Sequence, residues 1–119
     1  MFTADFKYTC LFKNLFVCLG KIMDIVTLDC TEQGLRIHSM DKAQIALIDV
    51  LLPIEMFNKY NCQHNYALGI NVASLLKVLN LAKSNDMINL KYQQNSHQLL
   101  LTFADTSIFF LKLFNHFDY

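Results

Sequence analysis

Glycine and proline are scarce: 119 residues contain three glycines and one proline. That leaves no room for a flexible linker, and the length argues for a single domain. Charge is sparse as well, at 17% of residues with a net of zero, whereas 54% are hydrophobic. Such a chain is too apolar for disorder and can build a real core. No apolar run approaches the ~18 residues of a membrane-spanning helix, so none is expected. The first residues alternate apolar and polar, with no basic region leading into a long apolar block, so they do not read as a secretion signal. Cysteines stand at 10, 18, 30 and 62 without a C-x-x-C pair. A disulfide framework or structural zinc site is therefore not expected, and the compartment reads as reducing.

What is present is periodic. Phe2 to Phe6 alternates like a half-buried strand. From Thr9 to Gly20, Leu11, Phe12, Leu15, Phe16 and Leu19 form one helical stripe, and Gly20 is a natural stop. Period two returns from Asp24 to Cys30. Thr31-Glu32-Gln33-Gly34 reads as a hairpin loop, and Leu35 to Ser39 alternates again. Ile45 to Leu52 is a nearly continuous apolar strand, ended by Pro53, which has no amide to donate. Short strands follow at Phe57–Cys62 and Tyr66–Ile70. Asn71 is a good N-cap for a second helix from Val72 to Ala82. Met87–Tyr92 and Gln98–Phe103 make a hairpin, and Ser107 to Leu113 is a last strand. Residues 114–119 read as a short aromatic tail behind a domain of residues 1–113. Two helices and eight or nine strands give an α+β class.

The chain also repeats itself. Phe6 to Leu15 aligns with Ile70 to Leu79 at an offset of 64, which sets Lys13 on Lys77. Asp24 to Leu28 aligns with Asp86 to Leu90, and Leu35-Arg36-Ile37 with Leu99-Leu100-Leu101. Each half reads βαβββ. Two such units side by side predict both helices on one face and antiparallel sheets on the other.

Charge follows the same division. Segments 8–21 and 72–85 hold Lys13, Lys21, Lys77 and Lys83, and all ten acids lie elsewhere. One face is then positive despite zero net charge, and lysines so placed suit a phosphate backbone read without sequence preference. For any single lysine, solvation of a helix face explains it as well. Ile45–Leu52 and Ser107–Leu113 are apolar on both strand faces. They are either interior strands or the two ends of a sheet that continues from one subunit into the next. On the second reading Ile48, Val50, Leu52, Ile108, Phe109, Phe110 and Leu111 form the subunit interface.

Nothing reads as catalytic. His38, His64, His97 and His116 are scattered, and the glycines at 20, 34 and 69 are too far apart for a phosphate loop. Asp5, Asp24, Asp29 and Glu32 read as solvated strand and loop charges, and no nucleophile elbow is present. The expectation is no enzyme, no metal and no cofactor.

Several stretches resemble the N-terminal domain of proliferating cell nuclear antigen, the eukaryotic-type sliding clamp family. They are Met1-Phe2, Leu35 to Asp41, Tyr60-Asn61-Cys62, and Ala67 to Asn71 followed by Ser74 to Leu79. The resemblance runs from residue 1 to about 103. It implies a domain of two βαβββ units, with helices lining a hole that encircles duplex DNA, and a nuclear, non-catalytic processivity factor for DNA polymerase in replication and repair. Family helix lysines face DNA, and Lys13 and Lys77 match that pattern. Asn14 and Asn80 replace two others, and Lys21 is displaced by one residue, so looser DNA contact is implied. Family partners insert a short motif into an apolar pocket, whose matching positions here are Met40, Gln44, Ile45 and Leu47. Gln44 stands in place of a histidine. The family completes that pocket with an inter-domain linker and a second domain, neither of which is expected here; residues 114–119 stand in place of the linker.

One apolar edge strand at each end leaves a single domain three expected fates. It closes a homo-oligomeric ring with its own copies. It joins or blocks a ring of full-length clamps as a truncated regulatory or structural paralogue. Or it remains a fragment with exposed edges and poor solubility. The alternative from a different class is a small α+β ligand-binding protein with a pocket between apolar strands.

Overall fold

The structure is a computed structural model that describes residues 1–40, 43, 45–81, 87–93, 96–103, 107–113 and 115–118. The elements run β1 (Phe2–Phe6), α1 (Thr9–Gly20), β2 (Ile25–Thr31), β3 (Gly34–Met40), β4 (Leu47–Pro53), β5 (Phe57–Cys62), β6 (Tyr66–Asn71), α2 (Val72–Leu79), β7 (Ile88–Tyr92), β8 (Gln98–Phe103), β9 (Ser107–Lys112) and β10 (Asn115–Asp118). A 3₁₀ turn, Ile54–Met56, links β4 to β5.

The two units exchange their first strands. One sheet has the order β5-β1-β7-β8-β9 and the other β10-β6-β2-β3-β4. Thus β1 of the first unit pairs with β7 of the second, and β6 of the second pairs with β2 of the first, both antiparallel. Neither unit can complete a sheet alone, which explains why the weak internal repeat builds one domain. The helices follow the expected stripes in part: Leu11 is 48% exposed and Leu15 half-buried, so the buried stripe of α1 is narrower than its spacing predicts. Phe12, Phe16 and Leu19 of α1, and Val72, Leu75 and Leu79 of α2, are buried in one cluster with the inward residues of both sheets. Asn71 caps α2, its Oδ1 accepting from the Ser74 amide at 3.0 Å.

Aromatic rings join the layers. Phe6 of β1 meets Phe12 of α1 at 5.1 Å between centroids, and Phe12 meets Phe16 at 4.9 Å. Each such buried ring contributes about 1.5–3 kcal/mol through the apolar surface it removes from water. Tyr66 and Tyr92, one from each sheet, stack edge-on at 4.9 Å. The Tyr60 hydroxyl crosses between sheets to donate to the Thr31 carbonyl at 2.6 Å.

The expected tail is corrected. Residues Asn115–Asp118 form β10, antiparallel to β6 from Tyr66 to Gly69. The reason lies in the repeat: β5 follows the first unit and pairs with β1, and β10 follows the second and pairs with β6. An unpaired β6 edge would leave a row of backbone groups without partners. The last strand of the first unit also begins later than expected: Ile45 and Ala46 precede β4, and Ile45 is 86% exposed.

Three groups in the seam between the sheets hold their protons tightly. Burial, then Cys62 and Asp29, push the Cys30 thiol well up. Burial raises Cys62 from 9.0 to about 11. Burial also raises the Tyr60 phenol, against the opposing effect of its bond to Thr31. The folded state then binds more protons than the unfolded chain above the ordinary thiol range, so stability falls as pH rises there. The expected result is a thermal midpoint that is flat up to about pH 8.5 and declines steadily towards about pH 10.5. Scanning calorimetry across that range checks it, and an unchanged midpoint refutes it.

Candidate nucleic-acid interface and assembly edges

The two helices lie against one another. A methyl group added at Gly20 would sit 3.2 Å from the Leu76 Cδ1 and 3.3 Å from the Val72 Cγ1. Because both helices bury their inner stripes in one core, their outer stripes share one surface. Neither helix contains an acid. On that surface Lys77 is exposed, Lys13 is half-buried, and Lys21 is exposed at the C-terminal cap of α1. None of the three side chains makes a hydrogen bond or ion pair with a described residue, so all three charges are open to a polyanion. A groove of about 290 Å³ runs between the helices, with Lys21 and Asp24 on one wall and Ala73 and Leu76 on the other. Lys83, the fourth lysine of the expected set, lies outside the described residues. The exposed side chains on the helices themselves are otherwise neutral, Cys10, Asn14, Cys18, Ser74 and Asn80 with Leu11 and Val17 between them, and Asp24 is the one acid among the described residues at the groove. The cationic footprint is real but thin.

The residues expected at the partner pocket gather on the outward side of the β3–β4 ladder. Met40 stands directly opposite Leu47, and the two are 53% and 69% exposed. Ile45 is exposed two residues earlier, and Gln44 lies outside the described residues. Next to this apolar patch is a charge network absent from the sequence expectations. The Arg36 Nε donates to Asp49 Oδ1 at 2.8 Å, and a second bond joins Arg36 Nη2 to Asp49 Oδ2. His38 Nε2 lies 2.7 Å from Asp29 Oδ2. The hydrogen bond from Arg36 holds the Asp49 carboxyl below its ordinary range. Alternation was the available signal, since Asp29, Arg36, His38 and Asp49 all fall on the polar phase of their strands.

Both apolar strands expected at the assembly edge do lie at edges: β4 ends one sheet and β9 ends the other. Their side chains divide by phase. Leu52 and Leu111 are buried in the domain's own core, and Ile48, Val50 and Phe109 pack against it half-covered. Phe110 points outward at 66% exposure, as does Leu51 at 52%. The side chain of Ile108 lies outside the described residues. By contrast the β5 edge is polar, with Asn58, Lys59 and Asn61 exposed. Edge strands that must not pair with another chain carry such residues in numbers, whereas β4 and β9 each expose a single charge, Asp49 and Lys112, among apolar side chains.

Two exchanged βαβββ units, backed by two acid-free helices that bear lysine, define a clamp domain. Comparison with known families agrees: the description "Proliferating cell nuclear antigen, N-terminal domain" matches residues 1–114. The chain belongs to this family, as an N-terminal domain. It is 34% identical over 120 residues to "Proliferating cell nuclear antigen 2" of Drosophila melanogaster, covering 97% of this chain and 47% of the relative. It is 38% identical over 104 residues to "Probable DNA polymerase sliding clamp 1" of Paramecium bursaria Chlorella virus 1, covering 87% and 40%. It is 31% identical to the proliferating cell nuclear antigen of Chaetomium thermophilum over 106 residues, covering 89% and 41%. The chain thus spans less than half the length of these relatives.

Proposed function

We propose that this chain is a non-catalytic clamp domain of a DNA polymerase processivity factor, which acts in the nucleus within a ring around duplex DNA. The observation that carries the reading is the pairing of an acid-free helix surface with two apolar sheet edges. Lys13, Lys21 and Lys77 face the phosphates as point charges, with Lys83 as the fourth member of the set. Their role is to hold the duplex loosely, releasing counterions without reading bases. β4 of one domain meets β9 of the next, so the outer sheets run on across the junction. A neighbouring copy then finishes covering Ile48, Val50 and Phe109. Contact of this head-to-tail kind closes when the rotation between copies allows. Met40, Gln44, Ile45 and Leu47 form the anchor point for polymerase or other partner proteins on the outer surface.

The test has two parts. Light scattering at micromolar concentration is expected to give a discrete multimer. That multimer should be retained on closed circular DNA and should slide off after one cut. A second reading, insertion into a ring of full-length clamps, gives a mixed species when the two proteins are combined. A monodisperse monomer both alone and in the mixture overturns ring membership. Retention that survives linearisation overturns encirclement.

A further inference from the structure

The outward face of the β7–β9 sheet holds a groove that the clamp reading leaves unused. Its floor is apolar: Phe110 stands directly opposite Leu100, and Met1 closes one end. Phe110 and Met1 are 66% and 51% exposed, which is much for large apolar side chains set side by side. Its charge has one sign. Lys91 stands opposite Leu100 on the next strand, and Lys112 opposite Gln98. Neither lysine side chain makes a hydrogen bond or ion pair with a described residue. No acid is among the described residues that line the groove. Asp5, on the outward side of neighbouring β1, is already bonded to Asn89.

We propose that this groove docks an acidic peptide segment of a partner protein through one bulky apolar side chain. The groove, of about 280 Å³, is open to solvent and shallow enough to take one bulky side chain. The anchor lies on Leu100 and Phe110, and acidic neighbours on either side of it meet Lys91 and Lys112. The Gln98 amide is placed to hydrogen-bond the peptide backbone. A phosphate backbone would satisfy the lysines but would leave the apolar floor uncovered, so a peptide fits better than nucleic acid. Within one domain the site lies in the other sheet from the Met40–Leu47 patch, and because it shares β9 with the proposed junction, assembly mass is read alongside binding.

Fluorescence anisotropy tests it on the full chain with the labelled peptide Asp-Glu-Asp-Phe-Asp-Glu-Asp. Two controls carry glycine for phenylalanine, or lysine for every acid. Saturable binding is expected for the first peptide only. Lys91→Glu should weaken it about five- to tenfold, and Leu100→Gln should weaken it similarly. Assembly mass and melting should not change in either variant. Equal binding of the glycine control, insensitivity to Lys91→Glu, or no saturable binding overturns the proposal. So does a fall in assembly mass with Lys91→Glu, which would make a second copy the occupant.

Discussion

Replacing Lys13 and Lys77 together by glutamate is expected to abolish retention on closed circular DNA while leaving assembly mass and melting almost unchanged. The first half follows from how few cations the helix surface carries. Only Lys13, Lys21 and Lys77 are described there, and the side chains between them are neutral. Each phosphate contact contributes about 0.9 to the logarithmic salt slope of binding to B-DNA. Reversing two of three charges per domain turns a weakly attractive surface into a repulsive one, and the effect repeats with every copy. The second half follows from exposure. Lys77 is exposed and Lys13 half-buried, and neither has a partner among the described residues to lose. Surface substitutions of this kind stay within about 0.5 kcal/mol, and glutamate and lysine have similar helix propensities. Lys13→Gln with Lys77→Gln should fall between, with retention lost at lower salt than in the parent. Gel filtration with closed, nicked and linear plasmid at several salt concentrations measures both halves. Unchanged retention of the glutamate variant would mean that DNA does not lie on the helix surface.

Much of this arrangement was legible in the residues, and what was missed has a common cause. The helices and the Asn71 cap follow from spacing, since a 3.6-residue period runs over three turns in α1 and two in α2, although the expected extension of α2 to Ala82 passes its end at Leu79. The exchange of first strands was not legible, since pairing partners are chosen by tertiary packing. The direction of side chains on β4 and β9 was obscured by apolar residues at consecutive positions. One charge in each strand held the answer. Asp49 is exposed, so Leu47 and Leu51 share its face while Ile48, Val50 and Leu52 turn inward. Lys112 likewise sets Phe110 outward and Phe109 and Leu111 inward. Asn115–Asp118 was read as a tail because it is too short to show a period, and only its pairing with β6 identifies it as a strand. The Met1–Lys91–Phe110 groove draws on both ends of the chain, which no local pattern brings together.

Gly34→Ala is expected to cost about 3 kcal/mol and to lower the melting temperature by roughly 10–20 °C. Gly34 opens β3 with φ of +144°, a backbone that residues with a Cβ rarely adopt. The space is closed as well. An added Cβ would lie 2.3 Å from the Leu52 carbonyl oxygen and 2.9 Å from the Pro53 Cα, both backbone atoms. No rotamer relieves that, so β4 must move away from β3, where Gly34 pairs with Pro53 and Leu35 with Leu52. Leu52 then withdraws from the core, and the edge that carries Leu47 and Leu51 shifts with it. A loss of assembly at temperatures where the domain is still folded should therefore precede melting. Gly20→Ala is the control. Its added methyl meets only the ends of the Val72 and Leu76 side chains at 3.2–3.3 Å, which can turn aside. Alanine also favours the helix by about 0.5–1 kcal/mol, so the net change there should stay within about 1 kcal/mol. Calorimetry and light scattering on both variants separate the cases. A Gly34→Ala protein that melts within a few degrees of the parent, with assembly intact, would show that the β3–β4 edge tolerates a side chain where the backbone leaves no room for one.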